Sequence, residues 1–197
     1  MPLLISPLLD PARLAQGAQP SLGAEGGLVL RPWRTEDAEA LVEVFADPVT
    51  RRWHNRRLDD AEEARRWIGG WRDAWTAGGG AHWAVADGRS DEVRGRLSLA
   101  RFVAMSGQAE VTYWTAPRAR GAGVATCAVR AAGEWALAEP RFHRLELTHS
   151  VHNEASCRVA HRCGYALEGT RRRALLHCDG LHDAHLHARL RASEPER

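Results

Sequence analysis

Arg118-Ala119-Arg120-Gly121-Ala122-Gly123-Val124-Ala125-Thr126 is the stretch that decides how this chain folds. The segment before it, Glu110-Val111-Thr112-Tyr113-Trp114-Thr115, has the β-branched and aromatic composition of a strand, and Ala116-Pro117 ends it. Gly121 and Gly123 carry no side chain, so the backbone can turn sharply and aim its N–H groups at an anion. Beyond the turn, Val124, Ala128, Ala131, Trp135 and Ala138 recur on one stripe at helical spacing. They predict a helix whose positive dipole end faces the turn. Arg118 and Arg120 add side-chain charge, and a pyrophosphate is the ligand that best uses such a cradle.

Gly-x-Gly also opens dinucleotide-binding folds, but that reading fits poorly. The third glycine position of the fingerprint is Thr126, and the motif follows a long strand-rich stretch instead of opening a first βαβ unit. Glu139, at a tolerable distance for a ribose-binding acid, sits at the helix end beside Pro140 without a preceding strand.

A second signal lies about thirty residues downstream. His143-Arg-Leu-Glu-Leu-Thr-His149 alternates like a strand and ends at a polar turn before a short helix. Asn153 suits its N-cap, Glu154 its first turn, His161 and Arg162 its last, and Gly164 a left-handed C-terminal cap. Ser156 then falls in the first turn, near the mouth of the sheet.

With these motifs the chain resembles the GNAT superfamily of N-acetyltransferases, and within it the RimJ/RimL type that includes ribosomal-protein N-terminal acetyltransferases. The matching elements are Leu28-Val-Leu-Arg-Pro-Trp33 with Asp37, Glu110-Val-Thr-Tyr-Trp114, Arg-x-x-Gly-x-Gly at 118–123, Asn153-x-x-Ser156, Gly164-Tyr165 with Glu168-Gly169, and Asp179-Gly180 with Asp183. Their order and spacing are specific, and they cover about residues 27–191. The resemblance implies an α/β (α+β) fold: a mixed, twisted sheet of about seven strands flanked by helices and split between the fourth and fifth. The pantetheine arm of acetyl-CoA would enter the split like a missing strand. Tyr113, Trp114, Thr115, Arg118, Arg120, Gly121, Ala122, Gly123, Val124, Ala125, Thr126, Asn153 and Ser156 would hold this cosubstrate.

The remaining pattern agrees. Strands are expected at 28–33, 81–87, 93–103, 109–115, 143–150, 165–173 and 182–190, and helices at about 36–46 and 61–77, the latter opened by the capping-box signature Asp60-x-x-Glu63. Residues 27–191 would form the catalytic domain, 1–26 an extension with linker and 192–197 a tail. In the extension, Asp10-Pro11 reads as an N-cap with proline at the first helical position, followed by a Gly-rich linker at 17–27. Its apolar start has no basic leader region and is broken by Pro2 and Pro7, so it does not read as a signal peptide. No apolar run is long enough to span a membrane, which makes the cytoplasm the expected address. The apolar extension could instead pack on the domain or on a second copy, so a homodimer is open.

The 197 residues suffice to bury about 70% of the unfolded surface in one core. A formal net charge of +2 argues against a dedicated nucleic-acid binder, although Arg51-Arg-Trp-His-Asn-Arg-Arg57 and Arg171-Arg-Arg173 are local basic clusters. The first could frame the acceptor site. All 27 cationic side chains are arginine, so this sequence offers no lysine amine for self-acetylation. Four cysteines without a Cys-x-x-Cys pair read as free thiols. Cys157 with His161, and the run His177, Cys178, His182, His185, His187, match no common zinc spacing, so no metal is expected. Trp67, Trp71 and Trp75 lie at helical spacing and read as core, with Gly69 and Gly70 weakening that helix.

The resemblance implies direct attack of a neutral amine on the thioester. Backbone amides at Tyr113–Thr115 are candidates for stabilising the oxyanion, and Ser156 for protonating the departing thiolate, with simple helix capping as its alternative role. Some relatives carry a further carboxylate after the Glu-Gly pair, where this chain reads Thr170-Arg-Arg-Arg-Ala-Leu-Leu-His-Cys178. Glu110 is the remaining candidate base, its alternative being a strand-face ion pair. An α-amine of pKa near 7.8 is about 14% neutral at pH 7, against about 0.04% for a lysine near 10.4. A protein or peptide N-terminus is therefore the expected acceptor, with small-molecule amines and a non-catalytic acyl-CoA sensor as alternatives.

Overall fold

The computed structural model describes residues 4–138 and 142–192. Glu139, Pro140, the first three residues and most of the expected tail lie outside them. Eight strands form one sheet: β1 (Leu22–Ala24), β2 (Leu28–Pro32), β3 (Gly80–Asp87), β4 (Val93–Val103), β5 (Gln108–Thr115), β6 (Arg144–Ser150), β7 (Ala166–His177) and β8 (Gly180–Leu190). Their spatial order is β1-β2-β3-β4-β5-β6-β8-β7. The helices are α1 (Pro11–Leu14), α2 (Ala38–Ala46), α3 (Pro48–Trp53), α4 (Ala61–Thr76), α5 (Val124–Leu137) and α6 (Glu154–Arg162).

Every neighbouring pair is antiparallel except β5 and β6, and this exception makes the site. The parallel ladder runs only from Gln108–Arg144 to Glu110–Glu146, after which the strands part. β6 keeps full pairing with β8, and β5 with β4 along its outer half. Opposite Glu110 the β4–β5 register breaks between Ala100 and Val103, with Arg101 at φ 53°. Such a bulge adds local twist, and it lies at the row where the parallel ladder ends.

Burial follows position in the sheet. β3 lies mid-sheet and is buried along nearly its whole length, whereas β7 at the edge is exposed at almost every position. The largest buried side chains, among them Trp33, Trp83, Tyr165 and Phe142, knit the core. α5 packs along β1, β2, β4, β5 and β6, and α4 carries α2 and covers β3.

Several details depart from expectation. The eighth strand, β1, lies in the stretch read as linker and pairs with β2 through Leu22–Leu30 and Ala24–Leu28. α3 was not anticipated, although Asp47-Pro48 repeats the Asp-Pro start of α1; Asp47 accepts the Thr50 N–H at 2.7 Å. The β7–β8 hairpin runs four residues further than expected in β7, to His177, and turns at Cys178-Asp179. The buried stripe of α5 passes through Val124, Ala128, Ala132 and Ala136, leaving Ala131 and Trp135 on its flank and Ala138 exposed. At the start of α4, Asp60 caps the Glu63 N–H, but Glu63 accepts from Asp59 instead of Asp60.

The N-terminal extension packs on the sheet. Leu9 is buried with its N–H on Ala104, Trp75 donates to the Gly17 carbonyl, and Trp83 donates to that of Pro20. No helix among the described residues is long and apolar enough to cross a membrane.

Candidate active site

Where β5 and β6 part, a cavity of about 360 Å³ opens between the end of β5, the glycine turn and α6. Gly121 and Gly123 stand at φ 78° and 77°, the left-handed region that favours glycine. Gly123 is the N-cap of α5, and its carbonyl accepts the Cys127 N–H. The N–H groups of Val124, Ala125 and Thr126 precede that bond, at the positive end of the dipole.

Tyr113, Trp114, Thr115, Arg120, Gly121, Gly123, Val124, Ala125, Thr126, Asn153 and Ser156 all line this cavity. Arg118 and Ala122 do not. Arg118 pairs with Glu43 of α2 at 2.7 Å, and Ala122 is exposed at the tip of the turn. Arg120 is engaged as well, bound to Asp47 and to the Thr50 hydroxyl, which ties the glycine turn to the α2–α3 corner. That guanidinium holds the Asp47 carboxyl down at about 2.

Ser156 and Tyr113 meet across the split, hydroxyl to hydroxyl at 2.8 Å. Asn153 caps α6 by accepting the Ser156 N–H at 3.1 Å, which leaves the Ser156 hydroxyl free of capping. Burial pushes the Tyr113 phenol up to about 12, so it stays protonated at neutral pH.

A second chamber of about 680 Å³ adjoins the first and shares Trp53, His54, Tyr113, Asn153 and Ser156 with it. Glu110 lines this chamber and pairs with Arg101 at 3.2 Å. The basic cluster at 51–57 divides here. Trp53, His54, Asn55 and Arg56 line the wall, while Arg51 binds the Phe45 carbonyl and Arg57 pairs with Asp59. Trp67 and Trp71, read as core, are only partly buried and also line the wall; Trp75 is buried as expected.

Three further wall residues shape the chamber: His54, read in the sequence only as a member of the basic cluster, and His82 and Arg96, which went unnoticed. His54 is driven down to about 4 by burial and then by the nearby Arg96 charge, and His82 to about 3 by the same two causes. Both rings are neutral at pH 7. The third is Arg96, whose guanidinium lies 4.7 Å from the Trp71 ring centroid. Burial brings it down to about 10, its Nη2 lies 3.3 Å from His82 Nδ1, its Nε is enclosed without a partner, and no carboxylate among the described residues pairs with it. Alternation along β4 could have flagged Arg96 as inward-facing, but nothing local marks it as lacking a carboxylate partner.

No curated protein matches the sequence. Solved structures share the fold at low identity. An L7/L12 ribosomal α-N-protein acetyltransferase, RimL, in complex with coenzyme A superposes with TM-score 0.79 at 21% identity, covering 87% of this chain and 98% of its own. RimJ of Mycobacterium smegmatis, with a CoA disulfide, gives 0.79 at 22% over 87% and 88%. The microcin C7 self-immunity acetyltransferase MccE, in complex with acetyl-CoA and AMP, gives 0.77 at 16% over 84% and 93%. Residues 27–166 match the acetyltransferase (GNAT) domain family, a span that runs from β2 through the split and the glycine turn to the start of β7. The chain therefore belongs to the GNAT family and is an acetyl-CoA-dependent acetyltransferase.

Proposed function

We propose that the chain acetylates a primary amine directly, and that its acceptor is a protein or peptide N-terminal α-amine, as the name of the L7/L12 α-N-protein acetyltransferase RimL states for that protein. The observation that carries this reading is the junction of the two chambers at Tyr113 and Ser156. One chamber presents glycine-turn amides suited to a pyrophosphate, and the other opens onto the same two hydroxyls. A thioester laid through the first would bring its carbonyl to the gap beside the end of β5.

The step forms one C–N bond and breaks one C–S bond. Backbone amides of Tyr113–Thr115 stabilise the developing oxyanion. Ser156, backed by the protonated Tyr113, donates to the departing thiolate. Glu110, in the acceptor chamber, takes the proton that the amine gives up, by way of water. An α-amine suits this weak base because a substantial fraction is already neutral at pH 7.

A second reading, acetylation of a small amine that carries an anionic group, is favoured by Arg96, which stands between His54, His82 and Trp71 with no carboxylate among the described residues paired to it. The discriminating experiment is thiol release from acetyl-CoA across N-terminal peptides and small amines with and without a carboxylate or phosphate. Turnover on peptides regardless of acidity supports the first reading. Turnover confined to anionic small amines supports the second, and none with either class sinks both.

A further inference from the structure

Behind α6, on the β6–β8 side of the split, lie His149, Cys157, His185 and His187. One potential ligand atom from each lies within 4.8 Å of all the others. The topology explains how residues so scattered converge. His149 and His185 are register partners across β6 and β8, His187 stands two residues further along β8 on the same face, and α6 packs against β6 with Cys157 in its first half.

The hydrogen bonds of the two buried rings are the telling feature. His149 Nδ1 lies 2.8 Å from the Ser150 carbonyl and His187 Nδ1 lies 3.4 Å from that of Tyr165. A carbonyl only accepts, so each Nδ1 carries the hydrogen and each neutral ring turns a lone pair outward at Nε2. Those two Nε2 atoms face each other at 3.2 Å. Two lone pairs at that distance repel unless an electrophile lies between them. A second proton on either ring would put a cation among buried groups with no carboxylate among the described residues paired to it. His185 adds a buried Nδ1 with no partner.

We propose that His149, Cys157, His185 and His187 form a tetrahedral site for a divalent transition metal, zinc by preference. With Zn–N bonds of about 2.0–2.1 Å, two tetrahedral nitrogens stand about 3.3–3.4 Å apart, close to the separation seen here. The carbonyl-bound Nδ1 groups supply the outer contacts that orient metal-binding imidazoles. A thiolate beside imidazoles selects zinc over the harder cations. Four protein ligands close the site, so the ion is structural. It fastens α6, and with it the neighbouring Ser156, to the β6–β8 pair. Spacing along the sequence concealed the set because its members come from three elements and match no contiguous pattern.

The test uses the untagged full chain, stripped with a chelator and titrated with zinc and with cobalt. The expected result is one ion per chain, a rise in Tm with zinc, and the intense visible spectrum of tetrahedral cobalt with a thiolate charge-transfer band. Cys157→Ser should abolish that band and weaken binding at least 10-fold, His185→Gln should weaken it comparably, and Cys178→Ser, at an exposed thiol, should change neither. Circular dichroism of each stripped variant separates loss of ligand from loss of fold. Absence of stoichiometric binding to the wild-type chain, or binding unaltered by both Cys157→Ser and His185→Gln, would overturn the site.

Discussion

Ser156 earns its place through what it is not doing: Asn153 has taken over the cap of α6, and the serine hydroxyl points instead to Tyr113. Ser156→Ala should lower kcat by about 100-fold, the order expected of a lost general acid, while the dissociation constant for CoA measured by calorimetry stays within a few-fold. Equal losses in both would make the residue a binding group. Asp37 has a different task. It accepts two hydrogen bonds from the buried Arg31 guanidinium, at 2.8 and 2.9 Å, and a third from the Arg34 N–H. Asp91 remains on Arg31 Nε, so Asp37→Ala leaves the buried cation partly compensated, and denaturant unfolding should show a loss near the lower end of about 3–5 kcal/mol. Asp37 and Ser156 were both legible in the sequence as motif residues. Their partners were not, because a hydrogen bond between residues far apart in the chain leaves no trace in local spacing.

At the scale of elements, α4 tolerates Gly69 and Gly70 because Ala64, Ile68 and Trp75 anchor its buried face. A Cβ at Gly70 would meet nothing within 4 Å, and the residue is exposed in helical conformation. Gly70→Ala should therefore raise stability by about 0.5–1 kcal/mol, seen as a higher urea midpoint with unchanged slope. α3 depends on a single charged corner, where Asp47 caps the helix and binds Arg120. The carboxyl sits at about 2 in the fold against 3.8 ordinarily, so its contribution is full above about pH 4 and fades as pH falls towards 2. Asp47→Asn should flatten the acid limb of the stability profile over that window; an unchanged limb would dissociate the corner from acid unfolding. The helices were readable wherever caps and apolar periodicity coincided. α3 was missed because its six residues are too few to establish a period, and β1 because three residues among glycines gain strand form only by pairing with β2.

For the molecule as a whole, the split sheet joins two chambers of opposite demand: a turn of backbone amides for an anion on one side, and on the other an aromatic wall with an arginine that no carboxylate among the described residues neutralises. If Arg96 reads an acidic group on the acceptor, Arg96→Gln should raise KM for an anionic amine by about 10- to 100-fold and leave KM for acetyl-CoA unmoved. A uniform fall across neutral and anionic acceptors would assign Arg96 to packing on Trp71. By itself the sequence determined the fold family, the glycine turn ahead of α5, the caps of α6 and the places of the principal strands along the chain, because each is written in spacing and turn chemistry over a few neighbouring residues. The tertiary structure alone decided that Arg118 and Arg120 are bound to carboxylates, that Tyr113 backs Ser156, that Trp67 and Trp71 face a chamber, and that three histidines and a cysteine converge behind α6. Those outcomes rest on distances between side chains from separate elements, which arise only once the strands have chosen their partners and the sheet has twisted apart.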